Sequence, residues 1–179
     1  MILRIIAVII AGASMRLISP PVGWVHLHWF NLVLAFWALR PGEYRRNATL
    51  MYLFSVSLLV FNYDWVRDSV GNFSNLPMYI AWGAVFLHAF VFAIPFALLG
   101  TCVHRFRDRF GLWWIWMIPA LQAAIEHVWP ALFPYTHGAL FYRTEIIWQW
   151  ASIFGATGVT YLIFLSNAVF SELYYRRLK

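Results

Sequence analysis

Charge is scarce in this chain of 179 residues: 11% are charged, where a soluble domain carries about 25%. There is one cysteine, Cys102, and one lysine, Lys179. A single thiol excludes an internal disulfide and any metal site built from several thiolates. With so few carboxylates, amines and thiols, little in the chain can make or break bonds. Nor is there a basic face or groove of the kind nucleic acid requires; the net charge of +6 sits on arginines in short loops. Hydrophobic residues, in contrast, make up 63% of the chain and aromatics 20%, spread over its whole length. That pattern reads as a protein embedded in a bilayer, not a soluble domain with one anchor.

Six apolar segments stand out, at residues 2–19, 24–39, 48–61, 77–103, 112–132 and 147–170. They predict an all-α integral membrane protein of about six transmembrane helices, a single domain over residues 1–179. The first segment is not read as a signal peptide, because Arg16 and Pro20-Pro21 follow it without a small-residue cleavage site. The second and third are short for a hydrocarbon core of about 30 Å, so the second is expected to tilt or to lie partly in the interface. Arg40, Arg45, Arg46, Arg105, Arg107, Arg109, Arg176, Arg177 and Lys179 fall in one set of loops, and only Arg16, Arg67 and Arg143 in the other. Nine against three places both termini in the cytoplasm. The connections 62–76 and 133–146 then face outward.

Glu126 is the one carboxylate deep in a predicted span, and an ionisable group there is costly unless paired. Gln122, four residues earlier, is a natural hydrogen-bond partner. A structural bond and a contact with a lipid headgroup or substrate both remain open for Glu126. Pro119 and Pro130 are expected to interrupt the backbone of the fifth segment, and interrupted backbone at membrane depth needs protein or a polar cavity around it. A lipid- or partner-contacting cleft is therefore expected between the fifth and sixth segments. Gln122, Glu126 and His127 would supply its polar groups, and Gly138, Gly155 and Gly158 would allow close approach. It would open beneath Trp65 and Tyr135, and Arg143 is a candidate for holding a lipid phosphate.

The remaining reactive side chains have simpler readings. His26 and His28 lie on different faces of a helix, His104 is in a basic loop, and His88 faces either a neighbouring helix or a bound cofactor such as a tetrapyrrole or carotenoid. No two histidines are spaced for metal beside a carboxylate. Cys102 has no base or lysine near it in sequence to complete a nucleophilic set. Asp64, Arg67 and Asp68 are spaced to satisfy one another, as are Arg143 and Glu145.

The order of motifs resembles the amino-terminal membrane region of apolipoprotein N-acyltransferase. Ser19-Pro20 and Trp24 resemble its opening hairpin. Trp65-Val66, Ser69-Val70, Phe73 and Leu76-Pro77 resemble its outer loop. Pro119-Ala120-Leu121 with Glu126 resembles a Pro-Ala-Leu-Trp…Glu helix, and Phe133-Pro134-Tyr135 with Gly138 resembles its Phe-Pro-Trp…Gly-Tyr segment. Gly155, Gly158 and Asn167 resemble the helix that follows. There are departures: His127 to Pro130 stand where the family has an Arg, and Tyr135 stands for a Trp.

The resemblance implies a catalytic nitrilase-like domain with a Glu-Lys-Cys triad, for which this sequence has no counterpart. Cys102 and Lys179 are expected on the wrong side of the bilayer. The chain alone is thus expected to be a non-catalytic membrane subunit of a larger complex in a bacterial inner membrane, in contact with lipids and protein partners. Two alternatives remain: the membrane half of a split lipoprotein N-acyltransferase working with a separate nitrilase-like chain, and a pigment- or haem-associated subunit of a respiratory or photosynthetic complex.

Overall fold

The computed structural model describes residues 1–74, 77–130 and 136–177, the side chain of Ser74 excepted. Of the residues singled out above, Leu76, Phe133, Pro134, Tyr135 and Lys179 lie outside the described residues. Among the described residues the chain is helical throughout, with no strand: α1 (Ile2–Ala13), α2 (Met15–Ile18), α3 (Asn31–Trp37), α4 (Tyr44–Asn62), α5 (Asp64–Ser74), α6 (Met78–Phe92), α7 (Ile94–Phe110), α8 (Trp114–Val128) and α9 (Glu145–Arg177). Short 3-10 turns lie at Val25–Trp29, Gly111–Trp113 and His137–Phe141.

By length and apolarity two stretches can cross a membrane, Met78–Val128 and Glu145–Arg177. A third, Tyr44–Asn62 with Asp64–Phe73, qualifies if its 48° bend falls within one crossing. That is fewer than the six segments read from the sequence. Met78–Val128 has 51 residues, about 76 Å if straight at about 1.5 Å per residue, more than twice a hydrocarbon core of about 30 Å. It does not run straight. Gly111, at φ 56°, adopts a conformation that favours glycine and turns the chain, so that α7 and α8 pack together.

The second segment departs most from a plain helix. It consists of the Val25–Trp29 turn followed by the seven residues of α3, so its backbone is broken between them. The groups freed at a helix start must find partners, and α9 supplies them. Asn167 Oδ1 accepts from the amides of Leu32 at 2.9 Å and Val33 at 3.2 Å, while its Nδ2 donates to the His28 carbonyl at 2.9 Å. Ser166 Oγ donates to the Trp29 carbonyl at 3.0 Å. The break is thereby sealed inside protein, the condition for irregular backbone among apolar surroundings.

α4 packs against both α1 and α7, and α8 packs along α9. Two glycines allow the α4 contacts: a Cβ on Gly12 would collide with the Phe54 carbonyl, and one on Gly100 with the Asn47 carbonyl. The core between these helices is built from fully buried Leu50, Phe54, Met51, Phe36, Phe164 and Trp114.

One end of the bundle is closed by arginines. Arg4 donates to the Ala38 carbonyl and pairs with Glu43 at 2.6 Å. Buried Glu172 accepts from Arg107, Arg176 and the Trp114 indole, each at 3.1 Å. The Tyr175 hydroxyl donates to the Phe36 carbonyl at 2.8 Å, with the Arg107 guanidinium over its ring. At the other end a single Arg16–Asp64 pair at 2.9 Å joins α2 to α5. Asp64 is therefore paired outside the cluster expected from its spacing, because the end of α2 brings Arg16 within reach; Arg67 pairs with Asp68 alone, at 2.6 Å.

The bond from Arg4 holds the Glu43 carboxyl below its ordinary value of 4.5, with the charges of Arg4, Arg46 and Arg40 adding to it. A depressed carboxylate contributes stability that is present above the unfolded value and lost as pH falls through the folded one. Acid titration of the purified chain should therefore lower its melting temperature below about pH 4.5, and Arg4→Met should remove the part of that loss due to Glu43. An identical acid profile in Arg4→Met would show that the pair contributes nothing.

Candidate functional site

α8 carries Glu126 into the bundle. Its helix continues through Pro119, which removes one backbone donor without breaking the rod, so the expected interruption there does not occur. The carboxylate is met by donors from three directions. Gln122 Nε2 lies 3.3 Å from Oε1, the His137 amide 3.2 Å from the same oxygen, and Thr160 Oγ1 donates to Oε2 at 2.7 Å. Thr160 Oγ1 in turn accepts from the Gly138 amide at 2.8 Å. One carboxylate thus pins the His137–Phe141 turn onto α8 and α9 together.

The turn sits that close because residue 138 has no side chain: a Cβ there would collide with the Ala156 carbonyl. Behind it, His137 Nδ1 lies 2.9 Å from His28 Nε2, and His28 Nδ1 lies 2.9 Å from Asn31 Oδ1. Since an amide oxygen only accepts, His28 donates from Nδ1 to Asn31 and His137 donates from Nδ1 to His28. Asn31 closes the chain with Nδ2 against the Met15 sulfur at 2.9 Å. A continuous polar thread therefore runs from Glu126 through the 137–141 turn to the broken second segment.

A cavity of about 90 Å³ opens on the other side of Glu126. Gln122, Glu126, Trp129, His88, His137 and Tyr63 line it, with apolar residues of α4 and α7. No residue of α9 borders it, so it lies among α4, α6, α7 and α8. The cleft expected between the fifth and sixth segments is filled instead, because the Glu126–Thr160 bond draws α8 and α9 into contact. His88 lies between two rings, Tyr63 at 4.8 Å and Phe92 at 4.4 Å.

The other anticipated residues disperse. Trp65 stands on the start of α5, beside Arg16 and Asp64, bordering a different pocket. His127 is exposed on α8. Arg143 lies over the Tyr142 ring at 5.2 Å, and it forms no ion pair with Glu145. Gly155 takes a φ of 69° and bends α9. Gly158 admits no neighbouring helix, since a Cβ there would meet only Phe154 of its own helix. Among the described residues no group of three or more His, Cys, Asp or Glu side chains is placed to hold a metal. Sequence reasoning passed over Thr160 and Asn31, and it read His28 only as lying on a different helix face from His26. A threonine and an asparagine in apolar runs are weak signals singly, and only the fold brings them to Glu126 and His137.

The bundle is helical, and a half-buried carboxylate clamps its 137–141 turn to two helices. The chain belongs to the family described as the apolipoprotein N-acyltransferase N-terminal domain, whose model matches residues 11–169. It is similar to two curated proteins named apolipoprotein N-acyltransferase 2, from Leptospira interrogans serogroup Icterohaemorrhagiae, serovars copenhageni and Lai. Each is 23% identical over 156 residues, covering 86% of this chain and 26% of the relative. The chain thus spans about a quarter of the length of the curated relatives it matches. No solved structure matches it.

Glu126→Ala should cost about 2 kcal/mol of stability, taking three hydrogen bonds at about 0.6 kcal/mol each, the average inside membranes. Glu126→Gln keeps an acceptor oxygen and should lose less than about half of that. Thermal melts of the two variants in one detergent provide the measurement; equal melting temperatures for Glu126→Ala and the parent chain would mean the clamp carries no weight.

Proposed function

We propose that this chain is a polytopic membrane domain that crosses the bilayer about six times with both termini in the cytoplasm. It acts without catalysis of its own, as a structural or lipid-contacting component of a larger complex in a bacterial inner membrane. The observation that carries this reading is the match to the family's N-terminal domain along residues 11–169. The site is consistent with it. Glu126 is occupied by three donors and holds the fold together, while Cys102 sits on α7 with Thr101 Oγ1, 3.9 Å away, as its polar neighbour. Nothing in that pairing activates a thiol or a carboxylate for acyl transfer.

The same match supports a second reading, in which this is the membrane half of a split lipoprotein N-acyltransferase whose nitrilase-like half is a separate chain. The relatives that carry the acyltransferase name extend well beyond the matched region, and a partner supplying that remainder would restore the activity. A third reading, a pigment- or haem-associated subunit, draws on the aromatic enrichment of the chain and on His88, which Tyr63 and Phe92 flank.

Orientation is tested by single-cysteine labelling in a Cys102→Ser background. Asn72→Cys should react with an impermeant maleimide from outside, and Arg109→Cys only after the membrane is opened. The reverse pattern would invert the assignment. A separate test concerns chemistry: incubated with phospholipid, the purified chain should show no acyl group on Cys102 by intact-mass spectrometry. A thioester adduct there would overturn the non-catalytic role.

A further inference from the structure

The outer surface of the α3–α9 pair carries an open groove of about 670 Å³, which shares no lining residue with the Glu126 cavity. One wall is Phe30, Val33, Leu34 and Trp37; the other is Phe170 and Tyr174. The first four are spaced i, i+3, i+4 and i+7, so they form one apolar stripe along α3 and the residue before it. The two walls run in the same direction, because the Phe30 and Phe170 rings meet at 4.8 Å while the Tyr175 hydroxyl reaches the Phe36 carbonyl. Trp37 and Tyr174 therefore stand together at the arginine-rich end, and the Phe30–Phe170 contact lies about 10 Å deeper, seven residues at about 1.5 Å each. Phe30, Leu34, Phe170 and Tyr174 are all exposed. A Trp and a Tyr at one end of an apolar strip mark where hydrocarbon gives way to headgroups.

The charges at that end say what kind of headgroup. Arg40 lies over the Trp37 ring at 5.6 Å, and its Nη1 donates to the Trp37 and Leu39 carbonyls at 3.1 and 3.4 Å. The guanidinium is thereby fixed at the mouth of the groove. Arg177 follows Tyr174 by three residues, which sets it one turn further along the same face of α9, and it is exposed. Among the described residues neither Arg40 nor Arg177 enters an ion pair, because the acids nearby are spent on other arginines. Glu43, whose charge Arg40 feels, is held by Arg4 and Arg46, and Glu172 by Arg107 and Arg176. Asp108 stands on α7, outside both walls. An apolar groove thus opens between two arginines that lack a carboxylate partner. Their charge is complementary to a phosphodiester, whose oxygens match the guanidinium fork.

We propose that the α3–α9 groove holds one anionic glycerophospholipid, its acyl chain along the Phe30–Trp37 stripe and its phosphate between Arg40 and Arg177. The lipid is retained, not consumed: no carboxylate, thiol or amine lines the groove. A zwitterionic headgroup would bring its own ammonium beside two arginines, and a neutral one would leave both without a counter-charge. The proposal deepens the lipid-contacting reading and rests on the chain lying in a bilayer; it is independent of any acyltransferase partner.

The test takes the full chain in detergent with equimolar phosphatidylglycerol, phosphatidylethanolamine and diacylglycerol of matched acyl chains, and reads retained lipid by native mass spectrometry. Phosphatidylglycerol should be retained in preference to the other two. Arg177→Gln, which breaks no bond seen in the structure, should lower that retention about fivefold, the weight of one arginine near a lipid phosphate. Arg109→Gln removes the same charge from the same end but away from the groove, and should leave retention unchanged. Leu34→Trp, which places an indole in the groove, should lower retention with every arginine kept. Equal loss in Arg109→Gln and Arg177→Gln would reduce the effect to diffuse attraction and overturn the site. Undiminished retention in Leu34→Trp, equal retention of the three lipids, or no retention would overturn it too. So would a lipid-free dimer that Leu34→Trp dissociates, since the occupant would then be a second copy of the chain. Cysteine labelling reports the membrane reading separately, so failure of one is distinguishable from failure of the other.

Discussion

A carboxylate among apolar helices must be surrounded by donors, and satisfying Glu126 organises the centre of this bundle. Its three partners come from its own helix, from the backbone of a turn and from a different helix. A lone ion in hydrocarbon costs several kcal/mol; the same group with its lone pairs filled becomes a clamp. The amides of His137 and Gly138 need acceptors, since both residues are buried and an unbonded buried amide is costly. Glu126 accepts from the first and Thr160 from the second. Carboxylate and turn therefore solve each other's problem, and neither is tenable there alone.

The same logic recurs one layer away. The second segment cannot be a continuous helix, because the chain turns between Trp29 and Asn31, and Asn167 collects the amides and the carbonyl exposed by that turn. His28 lies at the junction of the two systems. Its carbonyl is held by Asn167, and its ring links Asn31 to His137. The irregular pieces of the bundle, 25–31 and 137–141, are thus joined to each other through a histidine pair and to α9 through Thr160 and Asn167. In a protein whose apolar contacts distinguish poorly between one helix neighbour and another, such polar links are what specify the arrangement.

Much of this was legible in sequence, and the misses have a common cause. Apolar runs located the long helices, and Glu126 with Gln122 four residues before it was visible as a hydrogen-bonded pair. The fractured second segment was foreshadowed by its shortness but not by any breaker residue, since Val25 to Trp37 holds neither Pro nor Gly. Its fracture depends on an asparagine more than a hundred residues away. Pro119 misled in the opposite direction: a proline signals a lost donor, and whether the helix bends there is decided by its packing. Trp65 was grouped with Glu126 because both fall near the outer ends of segments. The fold sets them in separate pockets, a distinction that linear spacing does not contain.

The two ends of the bundle are finished differently, and that difference bears on use. At the arginine-rich end Glu43 and Glu172 are each met by more than one donor, and the aromatic rings of Tyr175 and Trp114 are overlaid by guanidinium. Such an end is closed, and its charge suits an anionic membrane surface. At the other end the ion pairs are single, Arg16 with Asp64 and Arg67 with Asp68, and beside them Ser19 Oγ and Asn62 Oδ1 are buried without a protein hydrogen-bond partner. A buried hydroxyl and amide oxygen without protein partners cost more at those positions than an alanine and a leucine would. The arginine-rich end is thus the more fully bonded of the two, and its polar contacts join α1, α3, α7, α8 and α9.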